Sequence, residues 1–433
     1  VRILAPQPNM KNFLNKIFFR SNNLDSISSK IRDLTKKTPV KKIFNALNSY
    51  SEYSEVRYVG GCIRKIINNE IVDDIDLATN LNPTQVCEAL KKENIQYYET
   101  GIDHGTITAL INENKYEITS LREDIVTDGR HAKVQYSHDW KKDSLRRDFT
   151  INAIYSDQNG NLFDPNKGKK DLENGLINFI GNPETRIKED YLRILRYLRF
   201  FLEYSKKEHN PDLIRKLRMN IEGISKLSKE RLLSELKKIM KLEILEKLTN
   251  DPVSLELIKV IFPELKNLKI FAKLAEFKKE LFKEFDFIFL LSLALIDGTD
   301  NVDYFLFKYN VSKTDQKRIK LIDNFFKVKI TSNSFTKNNL EKFFYFNGQK
   351  AVSDVIFFKF IKSKKIDKNL LDLNKSFLNR EIPKMPITAD ILMSDYKIPE
   401  GKQIGLKLRL IEEKWINNNF QISQKQIENL IKN

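Results

Sequence analysis

Asp74 and Asp76 stand one residue apart in Asp73-Asp-Ile-Asp-Leu-Ala-Thr79, within the β-rich run Ile71 to Leu77. On a strand alternate side chains share a face, which would set the two Cα atoms roughly 6.5–7 Å apart on one side. Carboxylates so spaced can share hard cations such as Mg2+, and two metal ions about 3.5–4 Å apart can activate an attacking hydroxyl while steadying a leaving pyrophosphate. Alone, an Asp-x-Asp reads equally as the polar end of a strand. Gly60-Gly61, just ahead of this run, changes the balance, because paired glycines let backbone N–H groups approach phosphate closely. Arg64 adds a guanidinium able to grip a triphosphate through two parallel hydrogen bonds.

Two further clusters carry charge in patterned form. Arg146, Arg147 and Asp148 precede an apolar run that begins at Phe149, so Asp148 reads as a helix cap or a salt-bridge partner. In Glu189-Asp-Tyr-Leu-Arg-Ile-Leu-Arg-Tyr-Leu-Arg199, the residues Asp190, Arg193 and Arg196 lie three apart. A helix would gather them on one side, with Arg199 a turn further, and on spacing alone they make a surface ion-pair ladder.

The elements that must hold these residues follow from the texture of the chain. From about 45 to 170, short β-rich runs (Val56 to Val59, Ile71 to Leu77, Gly105 to Ile111, Lys115 to Leu121) mix with helical stretches such as Pro83 to Asn94, separated by Gly, Asn and Asp. After Asn182, Lys, Leu, Ile, Phe and Glu recur at helical spacing to the end, broken near Pro211, Pro252, Pro263, Gly298, Gly348, Pro383 and Pro399. The chain therefore reads as α+β, a mixed domain followed by about 250 helical residues.

With 433 residues, 31% charged and 41% hydrophobic, it is too long and too apolar for a mini-protein or a disordered chain, and 14 Gly exclude a collagen-like fibre. A net charge of +17 favours a polyanionic partner, with RNA or DNA foremost. Two cysteines, Cys62 and Cys87, are too few for a disulfide scaffold or a cysteine zinc site, and point to a reducing compartment. Phe285 to Ile296 is shorter than the ~20 residues of a spanning helix and reads as a core helix. Val1 to Asn9 lacks the apolar centre of a secretory signal. The expected location is the cytoplasm, or an organelle matrix if the opening segment is a presequence.

Taken together the motifs resemble the class II tRNA nucleotidyltransferases, the CCA-adding enzymes, and their relatives the bacterial poly(A) polymerases. The likeness runs in that family's order through Gly60-Gly-Cys-Ile-Arg64, Asp74 to Thr79, His104-Gly-Thr106, Tyr116 to Asp124, Asp128-Gly-Arg-His131, Arg146 to Ala153 and Glu189 to Phe200. It continues more faintly through Leu227-Ser-Lys-Glu-Arg231 and through Pro399 to Phe420, with Gly401, Gly405 and Trp415.

The resemblance implies an α+β fold with a polymerase-β-like nucleotidyltransferase head containing a mixed sheet, then an all-helical neck, body and tail. The expected segments are an N-terminal extension at 1–44, the head at 45–180, a nucleotide-templating neck at 181–250, the body at 251–330 and a tRNA-binding tail at 331–433. It further implies template-independent addition of CCA to the 3′ end of tRNA from CTP and ATP, with two Mg2+ ions and the tRNA acceptor arm as partner, and no membrane. By the same likeness Asp74 and Asp76 are metal ligands and Glu117 is the third catalytic carboxylate, placed to polarise the RNA 3′-hydroxyl. Gly60, Gly61 and Arg64 meet the triphosphate; Arg147 holds phosphate, Asp148 checks the ribose and Asn152 supports them. Glu189, Asp190, Arg193, Arg196 and Arg199 belong to the nucleotide site, where Asp190 and Arg193 act as a protein template for C and A. Residues 122–143 have the length of the family's mobile loop. Lys65 departs from the pattern, since an acidic residue usually follows the arginine of the glycine motif. The alternatives are a poly(A) polymerase, an A-only enzyme, and an RNA-binding protein without catalysis.

Overall fold

The computed structural model describes residues 24–127, 132–276, 285–328, 332–363 and 367–432. The chain divides into two compact units, Val1–Ile239 and Met240–Asn433.

The described part of the first unit opens with α1 (Leu24–Lys37), inside the span expected as an extension, and α2 (Val40–Asn48), which crosses its end. Both bury an apolar stripe at helical spacing, Ile27, Ile31 and Leu34 on α1 and Ile43, Phe44 and Leu47 on α2. α1 also seats on the turn at Gly160, where an added Cβ would lie 2.4 Å from the Ser28 backbone, and Ser28 Oγ donates to the Gly160 carbonyl at 2.8 Å. These two helices are therefore packed parts of the first unit.

The strands are β1 (Val56–Val59), β2 (Asp76–Thr79), β3 (Gln96–Gly101), β4 (Thr106–Ile111), β5 (Asn114–Ser120), β8 (Tyr155–Ser156) and β9 (Leu162–Phe163), in the order β3-β4-β5-β2-β1-β8-β9. The β2–β5 pair is parallel and the others antiparallel, which makes the sheet mixed, as expected. β4 alternates between buried and half-buried residues, the two-residue period of a sheet with one packed face. A separate hairpin joins β6 (Arg122–Thr127) to β7 (Ala132–Tyr136). The expected mobile loop thus begins in a paired strand and ends in the helix Trp140–Arg146, and the Asp128-Gly-Arg-His131 motif lies outside the described residues.

Helices complete the unit: α3 (Gly61–Ile67), α4 (Pro83–Lys92), α5 (Trp140–Arg146), α6 (Gly168–Asn174), α7 (Pro183–Glu189), α8 (Leu192–Tyr204), α9 (Pro211–Met219) and α10 (Lys229–Ile239). Pro83, Pro183 and Pro211 each open a helix behind an asparagine cap, where a missing N–H costs nothing. At α4 the cap is reciprocal, Asn82 accepting from Gln85 N–H and Gln85 accepting from Asn82 N–H.

The second unit is helical throughout its described residues. Its first helix, Leu242–Asn250, packs on the segments that follow it, and the break between the two units falls at 239/240. Phe287–Leu295 buries every side chain from Ile288 to Leu295, as a core helix must, and among the described residues no helix is long and apolar enough to cross a membrane. The helix Lys337–Lys362 is kinked at Gly348, whose φ of +76° is a backbone state that favours glycine.

Candidate active site

The site is assembled where β1, β2 and β5 lie side by side. β1 runs antiparallel to β2 with Tyr58 opposite Leu77, so the end of β1 reaches the start of β2. There Gly60, at φ +70° and ψ −118°, turns the chain directly into α3. A Cβ added at Gly61 would stand 3.9 Å from an Asp76 carboxylate oxygen, and one at Gly60 would stand 3.9 Å from an Arg147 guanidinium nitrogen. The bare backbone of the turn thus lies close to both the acid and the arginine.

β2 and β5 pair in parallel register with Asp76 opposite Glu117. Two of the expected carboxylates are therefore neighbours on adjacent strands although 41 residues separate them in sequence. Asp74 differs from expectation. β2 begins at Asp76, and Asp74 belongs to the irregular stretch before it, because the ladder to β5 supplies no partner earlier than Glu117. Its place is fixed instead by Val72 and Ile75, both buried, which leave Asp73 and Asp74 exposed between them.

The carboxylates are short of positive charge. Burial, then Asp74 and Glu117, pushes the Asp76 carboxyl up to about 6 against the pull of Arg147 and Arg64. Burial and Asp74 also raise Glu117. Oxygen donors held this way fit a hard divalent cation. Among the described residues no three His, Cys, Asp or Glu side chains converge closely enough to hold an ion by themselves, so Asp74 and Asp76 would supply only part of a shell.

The basic side is held rigidly. Arg64 is buried, donates to Asn152 Oδ1, and stacks 4.7 Å from the Phe200 ring centroid and 5.2 Å from that of Tyr204. Arg147 Nε donates to the Tyr155 hydroxyl at 2.9 Å and to Asp143 Oδ2 at 3.2 Å. Asp143 is fully buried; burial works to raise it, but Arg147, Arg146 and the Tyr155 hydroxyl outweigh that and hold it at about 2.

Asp148 bridges the head loop to α8. It accepts from Phe149 N–H at 2.8 Å, Asn152 Nδ2 at 2.9 Å and Arg196 Nε at 2.6 Å, and Arg196 closes a second contact at 2.6 Å. Burial alone would raise it, yet Arg196 and these donors bring it down to about 2. Those four contacts match the lone-pair capacity of one carboxylate.

The segment 189–199 departs from a single helical stripe. α7 ends at Glu189, Asp190 is extended at φ −152°, and α8 begins only at Leu192. Asp190 accepts from Leu192 N–H, at the first residue of the new helix, at 3.1 Å, and pairs with Arg231 at 2.7 Å. Arg193 pairs with Glu189 at 2.7 Å. Arg199 is buried, bonded to Glu235 at 2.5 Å and stacked 3.9 Å from the Phe200 centroid. The partners Asp143, Tyr155, Phe200, Tyr204, Arg231 and Glu235 were not singled out as site residues from sequence. For Asp143 the signal was there, since Arg146 and Arg147 follow three and four residues on.

A family model described as the poly A polymerase head domain matches residues 56–178. Human mitochondrial CCA tRNA nucleotidyltransferase 1 is 44% identical over 192 residues, 44% of this chain and 44% of that protein. The CCA-adding enzyme of Staphylococcus aureus (strain Newman) is 30% identical over 295 residues, 67% of this chain and 69% of that enzyme. The chain belongs to the CCA-adding enzyme family. A crystal structure of the Bacillus stearothermophilus CCA-adding enzyme in complex with CTP has the same fold, with a TM-score of 0.67 at 19% identity over 91% of this chain and 97% of that one. Against the human relative, the match spans less than half of that protein's length. Within the CCA-adding enzyme pattern Lys65 remains the departure, and here its ammonium donates to the Asp73 carboxylate.

Proposed function

We propose that this chain adds CCA to the 3′ end of tRNA from CTP and ATP without a nucleic-acid template. The observation that carries the reading is the register of Asp76 opposite Glu117, with Gly61 beside that acid and Gly60 beside Arg147. Asp74 and Asp76 would hold divalent metal, Mg2+ and two ions in the full form of the proposal, which when bound polarises the attacking oxygen and the phosphate. The backbone of Gly60 and Gly61, with Arg64 and Arg147, receives the triphosphate. Glu117, raised by burial and by Asp74, holds the RNA 3′-hydroxyl and takes its proton as that oxygen bonds to the α-phosphorus and the bond to pyrophosphate breaks.

Asp190 and Arg193 choose the base. A carboxylate accepts from the exocyclic amine of C or A and repels the oxygen that U and G carry at that position, while a guanidinium donates to ring acceptors. In the structure both are already held, by Arg231 and Glu189, which supports fixed orientations for base recognition. Asn152 and Asp148 tie this helix to the phosphate side, and Glu189, Arg196 and Arg199 complete the wall. In this reading residues 45–180 are the head, 181–250 the neck, 251–330 the body and 331–433 the tail that meets the tRNA acceptor arm. The cysteine count and the mitochondrial names of the vertebrate relatives support a reducing compartment, cytoplasm or organelle matrix.

Incubation of the protein with tRNA lacking its 3′ CCA, each labelled nucleotide and Mg2+ tests the reading. CTP-dependent extension followed by a single A is expected. Long A tails would favour the poly(A) polymerase alternative, addition of A alone to tRNA ending in CC the A-only one, and no extension with retained RNA binding the non-catalytic one.

A further inference from the structure

Three carboxylates crowd into four residues at the entry to β2: Asp73, Asp74 and Asp76. Spacing alone offers two pairs for a cation, Asp74 with Asp76 or Asp73 with Asp76. Val72 and Ile75 are buried and pin the backbone on either side, so Asp73 and Asp74 both project to the exposed side. Nothing in the strand pattern separates them, because neither lies in the ladder.

The fold separates them through α3. Lys65, in the last turn of that helix, places its ammonium on Asp73; its side chain is 20% exposed and that of Asp73 55%. The lysine is set in position by the main chain as well, since its carbonyl accepts from Glu70 N–H at 2.8 Å and closes the turn leading into the acidic run. Asp74 acts electrostatically on both Asp76 and Glu117, whereas Asp73 is not among the principal charges acting on either.

We propose that Lys65 is a positioning residue that occupies Asp73 and withholds it from the cation, leaving Asp74 and Asp76 as the metal-binding pair. This rests on the reading of Asp74 and Asp76 as metal ligands given above. An exposed ion pair adds little to stability, so the role is selection between neighbouring carboxylates. Lysine at this place, where the family usually carries an acid, is then matched to the extra aspartate that follows it.

The test is Mn2+ binding to the full-length, chelator-stripped protein, followed by electron paramagnetic resonance, beside the rate of CTP addition to tRNA. Wild type is compared with Lys65→Ala, Asp73→Asn, Lys65→Ala/Asp73→Asn and Asp74→Asn. Losing the ammonium removes the positive charge set against Asp73, so Lys65→Ala should bind Mn2+ more tightly, by up to about tenfold, the equivalent of one pKa unit, and add CTP more slowly. The double variant should return both readouts to wild-type values, and Asp73→Asn alone should leave them unchanged. A double variant as slow as Lys65→Ala would assign Lys65 to the triphosphate and overturn the proposal, as would a Lys65→Ala protein identical to wild type in both readouts. If Asp74→Asn binds Mn2+ as wild type does, the failure lies in the metal-ligand reading itself.

Discussion

Replacing Asp76 with Asn should stabilise the metal-free first unit at neutral pH while abolishing nucleotide addition. Burial, Asp74 and Glu117 together raise the Asp76 carboxyl from 3.8 to about 6. That difference of about two units corresponds to about 3 kcal/mol between its two protonation states. Because the folded-state value lies above the unfolded one, the folded chain binds the proton more tightly. The penalty is therefore absent below about pH 4, grows between about pH 4 and 6, and is complete above that. Asp76 is only partly shielded from water, so solvent screening reduces the figure to about 1.5 kcal/mol. For a unit of about 200 residues that is a rise of about 3–6 °C in Tm. The assay is thermal unfolding of both proteins in chelator from pH 4 to 8, following the transition of the first unit. The Asp76→Asn advantage should open from nothing at pH 4 to its full size by pH 7. Mg2+ should then narrow it by stabilising the wild type alone. A variant less stable than wild type at pH 7.5 without metal, or a difference that ignores pH, would refute the account of an acid held short of counter-charge.

Asp190→Ala or Arg193→Ala should admit UTP or GTP into tRNA while leaving CTP addition measurable; unchanged discrimination at a lower rate would return both residues to plain salt bridging. Glu235→Gln leaves the buried Arg199 guanidinium without its charged partner at 2.5 Å, and should lower stability by about 3–5 kcal/mol in denaturant unfolding. A loss below about 1 kcal/mol would show that Glu203, 3.1 Å from the same guanidinium, suffices. With a net charge of +17, tRNA affinity should fall steeply between about 50 and 200 mM salt in a filter-binding titration; a flat profile would remove the phosphate-contact argument.

What the sequence made legible was local. Gly60-Gly61 announces a turn because no other residue accepts φ +70° with ψ −118° so readily, and the apolar alternation around Glu117 announces a strand. The parallel register that brings Glu117 to Asp76 depends on a crossover through β3 and β4, and no local pattern encodes it. The same ignorance of partners misplaced Asp74, because the strand starts at Asp76, five residues after the start of the β-rich run. The stretch 189–199 misled for a different reason. Three-residue spacing looks helical whether or not the backbone is, and here the extended Asp190 stands between two helices and accepts from the first N–H of the second. Arg231 and Glu235 come from α10, over thirty residues on, so their pairing with Asp190 and Arg199 appears only in three dimensions.

One physical question links these networks: why Arg64 and Arg147, which both pull on Asp76, do not simply pair with it. Each is already committed. Arg147 is held at Nε by Asp143 and the Tyr155 hydroxyl, and Asp143 is a fully buried anion that cannot release a guanidinium without exposing its own charge. Arg64 is held by Asn152 and by the faces of Phe200 and Tyr204. Asn152 is in turn fixed by Asp148, and Asp148 by Arg196. Arg147 thus has its charge balanced by Asp143, Arg64 is tied to an amide and two rings, and the carboxylates keep a deficit of positive charge. A site built this way does not collapse on itself. It leaves anionic oxygen in need of a cation and anchored guanidinium groups beside the same Gly60-Gly61 backbone, the pairing of charges that a metal-bound triphosphate would complete.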